Sequence, residues 1–185
     1  MSKFLISSLI VGASIIPPIA FADGQTKHFS IGPDAGIYFP SDGKIRSIFG
    51  SSIFSAGLHF GGADTGVSNG RFGVNVGLVD AQKNGGDFYA FQLLAQYEQF
   101  FTRSSQGSVL PYFEVGAGLA YADYQFNYNS THYSSKTALP TARIGVGLLI
   151  DKNFRISADY DFFGSTNGFS FDGLELKATY TVLRF

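Results

Sequence analysis

Apolar and polar residues alternate along most of this chain, and a period of two indicates β-strands rather than helices. In one segment Phe113, Val115 and Leu119 share a face, while Glu114 and Gly116 occupy the other. Eight such segments follow residue 22, at about 30–39, 54–61, 71–78, 89–98, 112–121, 141–150, 154–162 and 174–182. The apolar face of each segment carries no charged residue. The pattern therefore predicts an all-β fold.

The number and length of the segments predict a closed antiparallel barrel. Eight is an even number, and an even number brings both ends of one chain to the same side of a membrane. Each segment has about nine residues or more, which is enough for a tilted strand to cross the hydrocarbon layer. Closure pairs every backbone donor and acceptor, which lipid could not do. We expect an eight-stranded up-and-down transmembrane β-barrel.

Alternation alone leaves open which face points inward, since a soluble lipocalin-like barrel has the same period with its apolar face inside. Charged residues make up only 15% of the chain, against about 25% in a soluble domain. The polar face is mostly small, which suits the narrow interior of an eight-stranded barrel. Aromatic residues lie near the ends of several apolar rows, as in the interfacial girdles of membrane barrels. These observations favour an apolar face toward lipid.

Charges on the polar face are of both signs, so enclosed charges could pair with one another. The predicted interior charge network comprises Asp34, Arg71, Glu98, Glu114, Arg143, Arg155, Asp159, Asp161, Glu175 and Lys177. Asp159 and Asp161, with Arg143 and Arg155 nearby, form the most favoured cluster. A paired network that fills the interior is favoured over a pore or a solute-binding site, because eight strands leave little free space.

The N-terminus has the features of a secretory signal peptide. One lysine precedes an apolar stretch from Phe4 to Ile16, and a pair of prolines follows it. Ala20 and Ala22 place small residues where a signal peptidase reads them. We expect cleavage after Ala22, which divides the chain into a signal peptide, 1–22, and an outer-membrane barrel domain, 23–185. An uncleaved transmembrane anchor is the alternative, and the proline pair argues against it.

Composition argues against several other functions. The chain has no cysteine, so it can form neither a disulfide nor a thiolate metal site. Its formal net charge is −1, which gives no electrostatic basis for binding nucleic acid. A metal site at Asp159 and Asp161 would lack a histidine or a third carboxylate placed nearby in sequence. We expect no cofactor and no metal.

The signal peptide, the eight segments and the terminal Phe185 together resemble the small outer-membrane β-barrels of the OmpA/OmpX type. The resemblance implies a bacterial outer membrane, contact with lipid and lipopolysaccharide, and recognition of Phe185 by the barrel-assembly machinery. In that family apolar residues alternate back from the last residue, whereas here Leu183 is preceded in that row by Thr181 and Thr179. A one-residue β-bulge near Leu183 would bring Phe185 into the apolar row.

The connections follow from the segments if both termini are periplasmic. The predicted outer loops are about 40–52, 80–87, 123–137 and 164–173, and the predicted periplasmic turns are about 62–70, 102–110 and 151–153. Loop 123–137 is the longest and is rich in Tyr, Asn and Ser, so it is the candidate contact for an extracellular ligand. Pro33 and Pro140 cannot donate to a ladder, so the strands there are expected to start late or to bulge.

The run His132-Tyr133-Ser134 is similar to the histidine–serine pair of outer-membrane lipid A deacylases. Those enzymes also need a carboxylate on the lipid side, whereas every glutamate here falls on the inward face, and the pair is predicted to lie in a loop. We therefore expect a structural or surface-interaction barrel and no enzyme. The alternatives are a narrow, porin-like channel for small or amphipathic solutes, a soluble lipocalin-like binding barrel and a lipid A-modifying enzyme.

Overall fold

Eight antiparallel strands close into a barrel, which confirms the fold predicted from the alternation. The computed structural model describes residues 29–64, 69–101 and 109–185, so the predicted signal peptide lies outside the described residues. The barrel strands are β1 (Ser30–Pro40), β2 (Ile53–Asp64), β3 (Gly70–Lys83), β4 (Gly86–Phe100), β5 (Val109–Tyr128), β6 (Thr131–Ile150), β7 (Phe154–Phe162) and a last strand, Gly173–Tyr180.

The remaining elements are short. One helix, α1 (Gly43–Phe49), follows β1, and a small hairpin of β8 (Ser165–Thr166) and β9 (Phe169–Ser170) follows β7. The last barrel strand is therefore β10, and the two-residue strand β11 (Leu183–Arg184) continues it. Each barrel strand pairs with its neighbours in sequence, and β1 pairs with β10 to close the sheet. Within the described residues no helix is long and apolar enough to cross a membrane.

The apolar rows face outward around the barrel. Phe54 is 64% exposed and Leu119 is 63% exposed, whereas the next residues along the chain, Ser55 and Ala120, are each 1% exposed. A lipocalin-like barrel would show the opposite arrangement, with its apolar rows inside. The outward surface is therefore an apolar belt of the kind that membrane barrels present to lipid.

Two predicted outer loops, 80–87 and 123–137, are wrong in extent because most of their residues belong to strands. Only Asn84 and Gly85 separate β3 from β4, and only Asn129 and Ser130 separate β5 from β6. All of these turn residues have positive φ, between 49° and 73°. Two positive φ values in succession define the type I′ turn, which matches the twist of two hairpin strands.

A reversal of the alternation explains why these strand extensions resemble loops in the sequence. Apolar side chains of β5 point outward up to Tyr121, but above it Tyr124 and Phe126 are buried inside. The outward positions above Tyr121 carry Asp123 and Gln125 instead. The change of phase marks the level at which the outside of the barrel passes from lipid to water.

The other connections follow the predictions more closely. Loop 40–52 contains α1, and loop 164–173 contains the β8–β9 hairpin. Residues 151–153 form a tight turn between β6 and β7, as predicted. The predicted turns 62–70 and 102–110 lie partly outside the described residues.

The C-terminal segment contains a one-residue irregularity, of the kind that would bring Phe185 into the apolar row. Asp34 pairs with Thr179, and Ile31 pairs with Leu183. Three steps along β1 therefore correspond to four steps along the C-terminal segment, which defines a β-bulge. Pro33 lies opposite this bulge, where the ladder to β10 is interrupted and a missing N–H costs little.

Pro140 is accommodated in a different way. It lies within β6, which continues past it without a break. The last pair between β6 and β7 joins Ala142 to Phe162, so Pro140 lies beyond the end of that ladder. The expectation that the strand would start late at Pro140 is wrong, because no strand among the described residues lies beside that edge of β6 at this level, and the missing N–H interrupts no ladder.

Gly118→Ala is expected to destabilise the barrel, because a Cβ at Gly118 would lie 1.9 Å from the carbonyl oxygen of Leu93 on the neighbouring strand. Gly77→Ala is the matched control, since its Cβ would be no closer than 3.5 Å to any atom. Urea unfolding from lipid vesicles should show a loss of about 2 kcal/mol or more for Gly118→Ala and about 0.5 kcal/mol or less for Gly77→Ala. Equal losses would contradict this packing.

Candidate functional site

Arg143 is the centre of a polar network in the middle of the barrel. Its Nε donates to Asp161 Oδ1 at 2.7 Å, and its Nη2 donates to Glu175 Oε2 at 2.9 Å and to Gln92 Oε1 at 3.1 Å. Nη1 donates to Asn75 Oδ1 at 3.3 Å. These partners come from β3, β4, β7 and β10, so one guanidinium ties together strands on several sides of the barrel. Charge-assisted bonds of this kind are the strongest hydrogen bonds in proteins.

Lys177 supplies a second buried cation. Its Nζ lies 2.7 Å from Asp159 Oδ2, and Ser157 also donates to that oxygen at 2.9 Å. The same Nζ lies 3.8 Å from Glu175 and 3.9 Å from Glu114. Lys177 therefore pairs mainly with Asp159, and its distance to Glu114 is near the upper limit for an ion pair.

Four carboxylates lie in a single row across the inner face of the sheet. Glu98 is directly opposite Glu114, and Asp159 is directly opposite Glu175. Gly145 separates the two pairs, with Glu114 on one side and Asp159 on the other. Like charges that face each other across strands are destabilising, so this row depends on the cations above and below it.

Arg155 holds the part of the network that lies nearest the C-terminal end of the barrel, where it pairs with Thr179 across the strands. Its Nη1 donates to Glu98 Oε1 in a short contact, and Gln96 donates to the same oxygen at 3.1 Å. His59 Nε2 lies 3.4 Å from that oxygen as well. Below these groups the guanidinium of Arg155 lies 5.5 Å from the ring centre of Tyr112. Tyr112 belongs to a buried apolar cluster with Phe100, Leu110 and Leu149.

All ten residues of the predicted network project into the barrel. Arg71 is only half-buried, and its guanidinium lies 4.9 Å from the ring centre of Phe100 at the end of the barrel where Phe185 lies. Asp34 lies at the edge of the network, where it accepts a bond of 3.1 Å from Asn75. In the described part of the chain no group of three or more His, Asp or Glu residues is arranged to hold a metal ion.

The sequence prediction missed the uncharged members of this network. They are Asn75, Gln92, Gln96, His59, Thr141 and Ser157, and all are buried. Each lies in the same inward register as the predicted charges, so the register was the available signal. Amide side chains both donate and accept, which lets Gln92 bond to Arg143 through its oxygen and to Thr141 through its nitrogen at 2.9 Å.

An aromatic core fills the end of the barrel opposite Phe185, above the charges. It is built from inward residues of the strand tops and from two connections, α1 and residues 163–172, which we call the cap. The strands contribute Tyr38, Phe88, Tyr124 and Phe126 among others, and the cap contributes Ile45, Ile48, Phe49, Phe163, Phe169 and Phe171. Both parts of the cap were predicted as outer loops, and the aromatic core was not predicted from the sequence.

Polar contacts join the two parts of the cap. Asp42 Oδ1 accepts from the Lys44 amide at 2.7 Å, which caps the N-terminus of α1, and Asp42 Oδ2 accepts from the Ser170 amide at 3.0 Å. Lys44 Nζ donates to the Gly168 carbonyl at 3.0 Å. The Tyr38 hydroxyl donates to the Phe171 carbonyl in a short contact, which ties the cap to β1.

Phe185 lies on the outward side of the barrel and is 68% exposed. Its backbone bonds to Phe29 in both directions, at 2.9 and 3.1 Å. The ring of Phe29 lies 6.5 Å from that of Phe185 and 6.4 Å from that of Phe60. The bulge before β11 thus places the terminal ring in an aromatic group at the rim of the barrel.

The His132–Ser134 pair lies on β6 and not in a loop, which corrects the prediction. Both side chains are exposed on the outward face, above the apolar row that ends at Ala138. His132 Nδ1 lies 3.0 Å from Asn127 Oδ1, so its partner is an amide. Among the described residues no carboxylate bonds to His132, and the arrangement lacks the third group of a serine triad.

Comparison with known proteins gives a fold and no closer relative. No protein-family model matches this sequence, and no curated protein matches it. The solved structure of Neisserial surface protein A (NspA) matches with 17% identity and a TM-score of 0.53, covering 84% of this chain and 99% of that one. The outer membrane enzyme PagL matches with 12% identity and a TM-score of 0.52, covering 83% and 99%.

A third match is the N-terminal β-barrel domain of Pseudomonas aeruginosa OprF, with 15% identity, a TM-score of 0.49 and coverage of 86% and 99%. At such identities the likeness concerns the fold. The fold is that of the small eight-stranded outer-membrane β-barrels. The apolar belt of this chain is the surface that such a fold presents to lipid.

Arg143→Met is expected to lower the free energy of unfolding by about 3–5 kcal/mol, because it leaves Asp161 and Glu175 buried without their shared cation. Glu114→Gln is the matched control. It removes a charge from the row of carboxylates, so the change in unfolding free energy should stay within about 1 kcal/mol. Urea titration in lipid vesicles measures both values. A larger loss for Glu114→Gln than for Arg143→Met would contradict the assigned pairing.

Proposed function

We propose that this chain is an outer-membrane barrel of structural or surface-interaction type, closed to solutes and active through its extracellular end. It would be exported by the signal peptide 1–22, cleaved after Ala22, and inserted by the barrel-assembly machinery through Phe185. Lipid and lipopolysaccharide would surround the belt. The observation that carries the proposal is a set of buried ion pairs that lies inside the barrel between two buried apolar clusters.

The interior favours a closed barrel over a channel. A solute would have to pass Tyr112 and Leu149 at one end and the rings of Phe88, Phe126 and Phe171 at the other, all of which are buried. Between them Arg143 and Lys177 are held by carboxylates that are themselves buried. Opening a path would separate these ion pairs, and a buried charge without its partner is costly.

The extracellular end supplies surface for contact. The β5–β6 hairpin extends seven residues on each strand beyond Tyr121 and Ala138, with outward polar residues such as Gln125, Ser134 and Lys136. At about 3.3 Å per residue this corresponds to roughly 23 Å of strand. A segment so far beyond the belt is placed to meet lipopolysaccharide or molecules outside the cell.

The alternative is a narrow channel, and single-channel recording separates the two. We expect a planar bilayer containing the folded protein to remain silent. Discrete conductance steps that change with Arg143→Ala or Asp159→Ala would contradict the closed barrel and favour the channel. Slower migration of the sample on a gel after boiling provides the control that folded protein was present.

A further inference from the structure

Glu114 is a buried carboxyl group in the middle of the barrel, and no cation is held close to it. Its side chain is 2% exposed, and the nearest cation among the described residues is Lys177, whose Nζ lies 3.9 Å away. The same ammonium group lies 2.7 Å from Asp159, which is its main partner. An ionised carboxylate that is buried without a close partner is costly. The charge state of Glu114 is therefore decided by its neighbours.

Glu98 is the neighbour of Glu114 on β4, and it is held as an anion. The two residues pair directly across β4 and β5, which brings their Cβ atoms to within about 5.5 Å of each other. Glu98 Oε1 accepts from Arg155 and from Gln96, and such donors stabilise a carboxylate. An ionised Glu114 would face this anion without a cation of its own.

Asp159 is the neighbour on the other side, beyond Gly145. A Cβ at Gly145 would lie 2.0 Å from Asp159 Oδ1, so the carboxyl group of Asp159 lies over the glycine that separates it from Glu114. Asp159 Oδ2 has both the ammonium of Lys177 and the hydroxyl of Ser157 as donors, at 2.7 and 2.9 Å. Asp159 is therefore a second held anion beside Glu114.

The three carboxyl groups also lack a donor. Each has a buried oxygen to which no donor bonds among the described residues, namely Glu98 Oε2, Glu114 Oε1 and Asp159 Oδ1. A carboxylate only accepts hydrogen bonds, whereas a protonated carboxyl group also donates one through its O–H. A proton on Glu114 would remove the charge that has no close cation, and it would supply a donor between two acceptors.

The other titratable groups of the interior leave no cation for Glu114. In the described barrel the buried carboxyl groups number six and the buried cations three, and the cations are Arg143 on β6, Arg155 on β7 and Lys177 on β10. Arg143 pairs with Asp161 and Glu175, Arg155 with Glu98, and Lys177 with Asp159. The remaining groups around the row are His59 on β2, Asp34 on β1, Tyr112 on β5 and the half-buried Arg71 on β3.

We propose that Glu114 is a proton-binding site, which holds its proton in the folded barrel at neutral pH and weakens the barrel when it loses that proton at alkaline pH. With the proton in place, the three remaining anions of the row, Glu98, Asp159 and Glu175, each have a buried cation beside them. Without it, a fourth anion enters the row between two others, and like charges that face each other across strands repel. This role of the interior goes beyond surface interaction and does not depend on it.

The site couples pH to folding through one proton. Glutamate in the unfolded chain releases its proton near about pH 4.3, whereas the folded barrel would still hold it at neutral pH. Folding therefore takes up a proton in this range, so the barrel becomes less stable as the pH rises. In Glu114→Gln the amide keeps the shape of the neutral acid and cannot ionise, and this part of the pH dependence should disappear.

The direct test is infrared spectroscopy of the full chain in lipid vesicles, with the side-chain carboxyl groups of glutamate labelled with ¹³C. The chain contains only the glutamates Glu98, Glu114 and Glu175, and two of them have arginine partners. We expect a C=O band of a neutral carboxylic acid at neutral pH that moves with the label. The band should vanish at alkaline pH and be absent from Glu114→Gln.

Urea unfolding from lipid vesicles over a range of pH gives the second reading. From neutral pH upward, the ratio of the folding equilibrium constants of the unchanged protein and Glu114→Gln should fall by about tenfold per pH unit until the folded barrel releases its proton. Asp123→Asn is the matched control, since Asp123 is a partly exposed carboxylate that pairs with Lys136 at 2.9 Å. It should keep the pH dependence of the unchanged protein.

Three outcomes overturn the proposal. The first is a labelled, unchanged protein without a neutral-acid band at neutral pH, which decides the matter even if Glu114→Gln does not fold. The second is a label-sensitive band that persists in folded Glu114→Gln, and the third is an equal pH dependence of unfolding in Glu114→Gln and the unchanged protein. A shift in gel migration on boiling verifies that each variant is folded.

Discussion

Closure of the sheet by pairing of β1 with β10 is the constraint on which the rest of the structure depends. A strand that crosses lipid must bond all its backbone groups within the protein, and only a closed sheet leaves no edge in the membrane. Closure with eight strands also makes the interior narrow, so every inward side chain must find its partners among the others. The network around Arg143 follows from this, because a buried guanidinium needs several acceptors and strands β3, β4, β7 and β10 supply them. The row of four carboxylates shows the cost of this arrangement, and it is tolerated because Arg155, Lys177 and Arg143 approach it from adjacent levels.

The environment reverses along the strands, and the cap is the consequence. Within the belt the apolar side chains face out and the charges face in, whereas above Tyr121 the rings of Tyr124 and Phe126 turn inward and polar residues face out. Water on the outside restores the ordinary rule that apolar groups are buried. The inward rings are covered by α1 and residues 163–172, which belong to the shorter side of the barrel wall. The taller side, β5 and β6, extends past the cap, and in the described part of the chain β6 pairs with β7 only as far up as Ala142.

The period of two is a property of each strand by itself, so the structural features that depend on it could be predicted from the sequence. This includes the strand segments, the outward rows and the inward register of the charged residues. The ends of β5 and β6 could not be predicted, because above Tyr121 the apolar residues lie on the inward face. The outward face there is polar, so the extension has the composition of a loop. The opposition of Glu98 and Glu114 depends on the register between two strands, which neither strand specifies alone. The cap depends on contacts between distant segments, such as Phe88 with Phe171, whose rings stack 4.9 Å apart. The outward direction of the Phe185 side chain depends on one β-bulge. The sequence suggested this bulge only because it would bring Phe185 into the apolar row.

The most direct test of the membrane-inserted barrel is the migration of the protein from isolated outer membranes on a gel, with and without boiling. The full chain is expressed with its N-terminal segment in a Gram-negative host, and membranes and periplasm are separated before electrophoresis. The structure predicts a band in the outer membrane that migrates as a compact species when unheated and shifts on boiling, because closure and the buried ion pairs resist detergent. A soluble periplasmic band that does not shift would contradict an outward apolar belt and with it the assignment of every inward and outward side chain.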